Sequence, residues 1–441
     1  MTRQELAIDI VRELRARGHT AFLVGGCVRD RLLGAQPKDY DVSTDATPQS
    51  VLSYFPRSQA VGAHFGVILV GSGPGAQVEV ATFRSEGAYA DGRRPDEVRF
   101  ETDPRLDVLR RDFTINGLME DPLTGEILDY CGGQADLRDG IVRAIGEPHR
   151  RFEEDHLRML RAVRFAARLN FAIERETMRA IQELAPAIHR ISAERIRDEL
   201  IRILTEGDAR LGLELLDQSG LLAEILPEVK AYQGVPQPPE FHPEGDVWTH
   251  TLMMLAELDH PTATLAFAVL LHDVGKPPTF RVADRIRFDG HAEIGAEMAG
   301  RILARLKFPH DESDQIVSLV ANHMRFKDVL HMRASTLKRF LRLPDFEEHL
   351  ELHRLDTQAS NGYTAAYDFV REQLAHLGEE ELRPPRLITG RDLISAGYDP
   401  GPSFAKALEA VETAQLEREI STKEQALALA RGVLENDREG L

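Results

Sequence analysis

The chain has 441 residues, a formal net charge of −18, and 29% charged and 42% hydrophobic residues. Such a length predicts about two to four domains. The acidic excess argues against a protein that coats nucleic acid indiscriminately, and no apolar run approaches the ~20 residues needed to cross a bilayer. Cys27 and Cys131 provide neither a disulfide framework nor a zinc quartet. Without a signal peptide, these features predict a cytoplasmic protein with no membrane partner.

The first informative stretch joins a strand to a helix through two glycines. The apolar run Ala21 to Val24 predicts a strand, and Val28 to Leu33 predicts a short helix. Gly25 and Gly26 lie between them and lack a Cβ, so the backbone there can approach a phosphate closely. Arg29, about one helical turn on, is placed to reach phosphate oxygens.

Two carboxylates follow on a second predicted strand, Tyr40 to Ser43 and its N-terminal flank. Side chains two residues apart on a strand share a face, so Asp39 and Asp41 can hold one divalent ion or a pair of ions. Paired oxygen ligands suit Mg²⁺, which takes its remaining ligands from water and substrate phosphates. A D-x-D pattern alone is more often a solvated strand end, but with the glycine turn it predicts a triphosphate site.

The motifs GGCVRDRLLG (25–34) and KDYDVSTDATP (38–48) carry a family resemblance. They resemble the nucleotidyltransferase superfamily that includes polymerase beta, and within it the bacterial tRNA nucleotidyltransferase and poly(A) polymerase family. This resemblance implies a catalytic Mg²⁺ at Asp39 and Asp41.

A segment rich in Arg and Gly, from Arg84 to Arg99, predicts a mobile loop close after the metal strands; a solvated basic loop is the alternative. It is followed by Arg110-Arg111-Asp112 and an apolar run, and an Arg at the edge of an element is placed to meet phosphate. Both segments resemble the family, the second through its RRDFTINAL motif, with Gly117 where Ala is usual. Arg111 is therefore a predicted nucleotide-binding residue.

The stretch from Arg151 to Arg168 predicts a helix with polar residues at every third position. On one helix these residues form a gently drifting stripe. The alternative is an amphipathic helix with a basic face turned to solvent. The residues of the stripe are Asp155, Arg158, Arg161 and Arg164.

An Asp beside an Arg can select a nucleobase, because Asp accepts hydrogen bonds and Arg donates them. Cytosine and adenine present an amine beside an unprotonated ring nitrogen, whereas uracil and guanine present the reverse order. Each mismatch costs ~1–3 kcal/mol. The sequence Glu154-Asp155-His156-Leu157-Arg158 resembles the family's EDxxR motif. The resemblance implies that Asp155 and Arg158 contact the base and that Arg161 and Arg164 lie in the same pocket.

Further along, His and Asp residues spread over helical segments around the motif Leu271-His-Asp-Val-Gly-Lys276. Imidazole and carboxylate together suit a divalent transition metal or Mg²⁺. The pattern resembles the HD metal-dependent phosphohydrolase superfamily, which implies a divalent metal of unknown identity. The implied core ligands are His250, His272, Asp273 and Asp356, with His291 and His323 as further candidates.

The predicted fold class is α+β, with a polymerase-beta-like α/β head followed by an all-helical remainder. The predicted parts are a nucleotidyltransferase head (1–145), a helical neck (146–236), an HD domain (237–365) and a helical tail (366–441).

Template-independent addition of C and A to the 3′ end of tRNA, with CTP and ATP as substrates and pyrophosphate as product, is the function that these resemblances imply. Poly(A) addition uses the same chemistry, but Gly62 to Val67 lacks the basic segment typical of poly(A) enzymes. Addition of A alone stays open. Two hypotheses from other classes are an HD phosphohydrolase whose head merely binds nucleotide and a non-enzymatic RNA-binding protein, which the acidic charge disfavours.

Overall fold

The computed structural model describes residues 2–62, 66–71, 77–86, 98–240 and 242–439. Residues 87–97 of the predicted Arg-rich loop, and residues 63–65 of the segment compared with poly(A) enzymes, lie outside this part of the chain. The predicted fold class is confirmed, since a head built on a mixed sheet precedes a helical remainder. The limits of the four predicted domains stay a prediction.

The chain divides into two compact units. One comprises Met1–Ala231, Leu258–Ala266 and Ile302–Phe308, and the other comprises Tyr232–Glu257, Phe267–Arg301 and Pro309–Leu441. Within the described residues, no helix combines the length and the apolar character needed to span a membrane. Cys27 and Cys131 are both free thiols.

The head is organised around one mixed sheet. The strands of the head are β1 (Ala21–Val24), β2 (Asp41–Thr44), β3 (Ser58–Gly62), β4 (Val67–Gly71), β5 (Gln77–Thr82), β6 (Arg84–Glu86), β7 (Val98–Phe100), β8 (Met119–Glu120) and β9 (Ile127–Leu128). Among the described residues, seven of these strands form the order β3-β4-β5-β2-β1-β8-β9, with β2 and β5 parallel. All four residues of β1 are buried, whereas β4 alternates between buried and partly buried positions. The sheet therefore has its core at β1 and β2.

The helices of the head are α1 (Arg3–Ala16), α2 (Gly26–Leu32), α3 (Pro48–Tyr54), α4 (Pro104–Leu109) and α5 (Gly133–Asp139). Of these, α1, α2 and α3 pack against strands of the sheet. Thr2 and Glu5 form a capping box that fixes the start of α1. The strand predicted at Tyr40 to Ser43 begins one residue later, at Asp41, so Asp39 lies two residues before β2.

The rest of the first unit is mainly helical: α6 (Pro148–Glu154), α7 (Leu157–Leu169), α8 (Arg175–Leu184), α9 (Ala193–Thr205), α10 (Ala209–Gln218), α11 (Leu221–Ile225) and α12 (Pro227–Lys230). Two short strands, β10 (Ile141–Val142) and β11 (Ala172–Ile173), pair in parallel. The remaining elements are α13 (Val247–Ala256), α14 (Ala263–Leu271), α15 (Lys276–Thr279), β12 (Arg281–Val282), β13 (Ile286–Arg287), α16 (His291–Arg305), α17 (His310–Asn322), α18 (Ala334–Leu341), α19 (Phe346–Ala359), α20 (Ala365–His376), α21 (Glu379–Leu382), α22 (Gly390–Ser395), α23 (Pro402–Leu416) and α24 (Lys423–Glu439).

The prediction of one helix from Arg151 to Arg168 is wrong, because the helix is interrupted at Asp155, between α6 and α7. Asp155 has extended backbone angles, φ −148° and ψ 104°. Its carboxylate accepts from the backbone N–H of Leu157 at 3.1 Å, and Asp favours such local bonds over helix-interior positions. The solvated basic helix is excluded too, since Arg158 and Arg164 on α7 are only 9% and 6% exposed.

Candidate active site and metal centre

A cavity of about 750 Å³ in the first unit gathers every residue predicted for nucleotide chemistry. The glycine turn, the two carboxylates and the arginines all line it, although they come from four separate stretches of chain. The predicted residues that line the cavity are Gly25, Gly26, Arg29, Asp39, Asp41, Arg111, Asp155, Arg158, Arg161 and Arg164. Their roles stay predictions, but they share one space.

The glycine turn at the end of β1 requires glycine at its first position. Gly25 has φ +73° and ψ −130°, a backbone conformation that residues with a Cβ rarely adopt. A Cβ there would also lie 3.3 Å from the Arg111 guanidinium. The turn thus brings backbone and Arg111 together on the cavity wall.

The carboxylates lie at the start of β2. Asp41 pairs in parallel register with Glu79 on β5, and the exposed Asp39 forms an ion pair with Arg3. Burial raises the pKa of Asp41 to about 6, helped by the negative charges of Glu79 and Asp39 and opposed by Arg111. Concentrated negative charge of this kind fits a divalent cation.

Glu79 is a carboxylate that the sequence analysis missed. It lies between Val78 and Val80 on a predicted strand. Successive side chains of a strand point to opposite faces, so Glu79 was expected on the face opposite the two valines. What the sequence does not reveal is that β5 pairs directly with β2. That pairing makes Glu79 the neighbour of Asp41.

Ion pairs hold the arginines of the cavity in place. Arg29 donates to Asn116 at 2.6 Å and pairs with Asp30 at 2.6 Å. Arg161 donates to Asp112 at 2.5 Å. Burial opposes ionisation of Asp112, but Arg161 outweighs it and lowers the pKa of this carboxyl to about 2. The cations are therefore fixed before any ligand binds.

Asp155 and Arg158 are each held by a different partner. Asp155 accepts from Arg195 at 3.0 Å. Arg158 donates to Glu154 at 2.8 Å and to the backbone carbonyl of Arg110 at 3.2 Å. Arg195, to which the sequence analysis gave no role, also lines the cavity.

A second cavity, of about 770 Å³, lies in the second unit and is lined by four of the HD residues, Asp273, His291, His323 and Asp356. Asp273 is central: His272 Nε2 lies 3.1 Å from its Oδ2, and His291 and His323 Nε2 lie 3.8 and 3.9 Å from its Oδ1. His250 Nε2 lies 3.1 Å from Asp356 Oδ1. All six predicted residues of the HD set are thus brought together.

Backbone carbonyls fix the direction of three of these imidazoles. Nδ1 of His272, His291 and His323 lies 2.9, 2.8 and 2.7 Å from the carbonyl oxygen three residues earlier. A carbonyl only accepts, so Nδ1 carries the proton and Nε2 presents its lone pair to the cluster. His272 Nε2 and Asp273 Oδ1 are buried without a hydrogen-bond partner, which fits a metal ion.

The pKa values of the imidazoles in the HD set differ widely. Burial lowers the pKa of His250, but hydrogen bonds to Asp356 and Glu244 outweigh it and raise this pKa to about 9. Burial lowers the pKa of His323 to about 3. Lys276 Nζ, 2.7 Å from Asp273 Oδ2 and 2.6 Å from Gln237 Oε1, adds a buried cation to the site.

Three family models match the chain: the poly A polymerase head domain over residues 21–143, a probable RNA and SrmB binding site of polymerase A over 170–233, and the HD domain over 246–354.

The chain is 32% identical over 421 residues to a CCA-adding enzyme of Lacticaseibacillus paracasei, covering 92% of this chain and 90% of the relative. It is 44% identical to a CCA-adding enzyme of Enterococcus faecalis over 231 residues, a match that spans 52% of this chain and about half (54%) of that relative. The fold is similar to that of a CCA-adding enzyme from Bacillus stearothermophilus in complex with CTP, with TM-score 0.74, 26% identity and coverage of 100% of this chain and 98% of the other. The chain therefore belongs to the family of CCA-adding tRNA nucleotidyltransferases and poly(A) polymerases, and it carries an HD domain.

Proposed function

We propose that this enzyme adds C and A nucleotides to the 3′ end of tRNA from CTP and ATP, without a nucleic-acid template, and releases pyrophosphate. One observation carries the proposal: carboxylates, a glycine turn, fixed arginines and the Asp155 and Arg158 pair all line a single cavity. Family membership and the CTP complex of a relative support it.

In this proposal Asp39, Asp41 and Glu79 would hold Mg²⁺. When bound, Mg²⁺ would supply positive charge to the triphosphate and favour ionisation of the terminal 3′-hydroxyl. Gly25 lets the triphosphate approach the backbone, and Arg111 donates to its oxygens. The 3′ oxygen then attacks the α-phosphorus in line as the bond to pyrophosphate breaks, so the protein's contribution is positioning and charge stabilisation.

Base choice is assigned to Asp155 and Arg158. The carboxylate accepts from the amine of C or A while the guanidinium donates to the ring nitrogen. Arg195 and Glu154 hold the two groups at fixed positions before the base enters, which reduces the cost of ordering them on binding.

The second cavity favours a further activity, metal-dependent hydrolysis of phosphate esters. His250, His272, Asp273 and Asp356, with His291 and His323, would hold a divalent ion there. The supporting observation is that His272 Nε2 and Asp273 Oδ1 are buried and have no hydrogen-bond partner in the protein. Such orphaned groups cost free energy unless a ligand satisfies them.

The decisive experiment uses three tRNA transcripts: one lacking all three terminal nucleotides, one lacking only the terminal A, and one complete. Each is incubated with CTP, ATP or both. CCA addition predicts that the first transcript gains C residues with CTP and becomes complete only with both substrates, while the complete transcript gains nothing. Addition of A to the second transcript alone would reveal an A-adding enzyme, and long A tails would reveal a poly(A) polymerase.

A further inference from the structure

One buried carboxylate in the second unit contacts two histidines. Glu244 Oε1 lies 2.7 Å from His250 Nδ1 and 2.8 Å from His242 Nδ1. The side chains of Glu244 and His242 are 4% and 17% exposed. His250 is a predicted metal ligand, whereas nothing in the family motifs assigns a role to His242 or Glu244.

The geometry describes a hydrogen-bond junction and not another metal site. A carboxylate oxygen accepts, so both Nδ1 atoms carry a proton. His242 Nε2 then presents a lone pair, and His250 Nε2 presents one once the proton that it donates to Asp356 has left. The distances of 2.7 and 2.8 Å are those of N–H···O bonds. Two ligand atoms that share one tetrahedral metal at about 2.0–2.2 Å would lie about 3.3–3.6 Å from each other. Glu244 therefore sets the tautomer of two imidazoles at once.

The two rings face different places. His250 Nε2 lies 3.1 Å from Asp356 Oδ1, inside the metal set. The His242 ring meets His250 edge-on at 5.0 Å between centroids and lines the second cavity together with Asp273 and Lys276. One carboxylate thus aligns one ring for the metal and the other for the cavity.

The loop that carries Glu244 is pinned at its base. Pro236 and Asp246 form an antiparallel bridge, and the His242 N–H donates to the Pro238 carbonyl at 2.9 Å. Gly245 has φ +121°, which favours glycine and turns the chain into α13. These backbone contacts hold the loop independently of the imidazole side chains of His242 and His250.

We propose that Glu244 is a positioning residue for His250, and that through Glu244 the His242 Nε2 accepts a hydrogen bond from the water that attacks phosphorus in the second cavity. This inference rests on the proposed phosphohydrolase activity. Phosphate oxygens are acceptors and offer nothing to a lone pair on Nε2, so the partner must be a donor such as water. In the hydrolysis the water oxygen bonds to phosphorus, the ester oxygen leaves with its bonding electrons, and one proton passes from the water to that oxygen.

The first test measures Mn²⁺ binding alone, by the electron paramagnetic resonance of free Mn²⁺. All proteins are full-length and carry Asp41→Ala, so that the first cavity does not contribute. Glu244→Gln should weaken Mn²⁺ binding by about 10–100-fold. Glu257→Gln, an exposed glutamate at the other end of α13, is the matched control and should bind as the parent does. Equal affinity in Glu244→Gln and the parent overturns the positioning role.

Each variant must first show parental helical circular dichroism and a cooperative melt. If Glu244→Gln fails this check, Glu244→Asp replaces it, because a carboxylate shortened by one methylene cannot reach both rings; weaker Mn²⁺ binding is again expected. Parental affinity in that variant overturns the proposal equally.

The second test separates His242 from the metal. His242→Ala should keep the parental Mn²⁺ affinity and KM for bis(p-nitrophenyl) phosphate while kcat falls at least about tenfold, since an oriented water matters for the chemical step and not for binding. Unchanged kcat, or a rise in KM alone, overturns the water contact. If the parent cleaves neither this ester nor p-nitrophenyl phosphate, the phosphohydrolase proposal and the water contact fall together, and Mn²⁺ binding still decides the role of Glu244.

Discussion

The two cavities hold their candidate metal ligands in different ways. In the first, the ligands are carboxylates at a strand edge, and Asp39 is 76% exposed. In the second, imidazoles and carboxylates converge in the interior, where His250 and Asp273 are 0% and 1% exposed. A few oxygen ligands suit an ion that arrives with a triphosphate, whereas a buried set of nitrogen and oxygen ligands suits an ion held by protein alone.

Removing a head carboxylate should have the largest effect. Asp41→Ala should lower nucleotide incorporation by at least about 1,000-fold, because one of the carboxylates that would hold the catalytic ion is lost. Binding of tRNA, measured by filter retention, should change little. Normal incorporation in the double variant with Asp39→Ala and Asp41→Ala would show that these carboxylates take no part in the reaction.

The converse variant probes the second cavity. Replacing His272 and Asp273 with Ala should abolish metal-dependent ester hydrolysis, since two ligands of one buried cluster are lost together. Incorporation of nucleotides should continue at the parental rate. If incorporation collapses in a variant whose circular dichroism shows an intact fold, the two cavities do not act independently.

The base-reading pair predicts an effect on selectivity. Asp155→Ala should lower discrimination against UTP and GTP by about 10–100-fold, as expected from the loss of ~1–3 kcal/mol of hydrogen-bond mismatch. Arg29→Lys, which keeps the buried charge, should slow all four nucleotides alike. Measured kcat/KM values for the four substrates decide this, and parental discrimination in Asp155→Ala would leave Asp155 with a structural role only.

The pH dependence of metal affinity should differ between the two cavities. A proton must leave each ligand before the ion binds, so affinity rises about tenfold per pH unit below the ligand's pKa. With a pKa of about 6 for Asp41, affinity at the head should level off above pH 6. With a pKa of about 9 for His250, affinity at the HD set should keep rising to about pH 9.

Mn²⁺ titrations at pH 5.5, 7 and 8.5 measure this difference. Asp41→Ala isolates the HD set, and the double His272 and Asp273 variant, titrated in the presence of a non-hydrolysable CTP analogue, isolates the head. Parallel pH profiles for the two proteins would contradict the assignment of the two pKa values to the metal sites.

Residues that lie close along the chain could be predicted from the sequence. Asp39 and Asp41, or His272 and Asp273, form local patterns whose chemistry can be inferred without knowledge of the fold. Glu79 was missed because its proximity to Asp41 depends on the pairing of β5 with β2 across an intervening crossover.

The Asp155 helix prediction failed for a different reason. Regular spacing of polar residues suggested one helix, but the Asp155 carboxylate binds the Leu157 amide and Arg195 instead. Side-chain bonds of this kind override periodicity, and the Arg195 contact joins residues 40 positions apart. The bond from Glu244 to His242 and His250 is visible only in the folded loop for the same reason.

The most direct measurement of the difference between the cavities is anomalous scattering from crystals of the full chain soaked in Mn²⁺, first alone and then with a non-hydrolysable CTP analogue. We expect an ion at His250, His272, Asp273 and Asp356 in both soaks, and an ion at Asp39 and Asp41 only when the triphosphate is present. An ion at the head carboxylates without nucleotide, with the histidine set empty, would contradict this account.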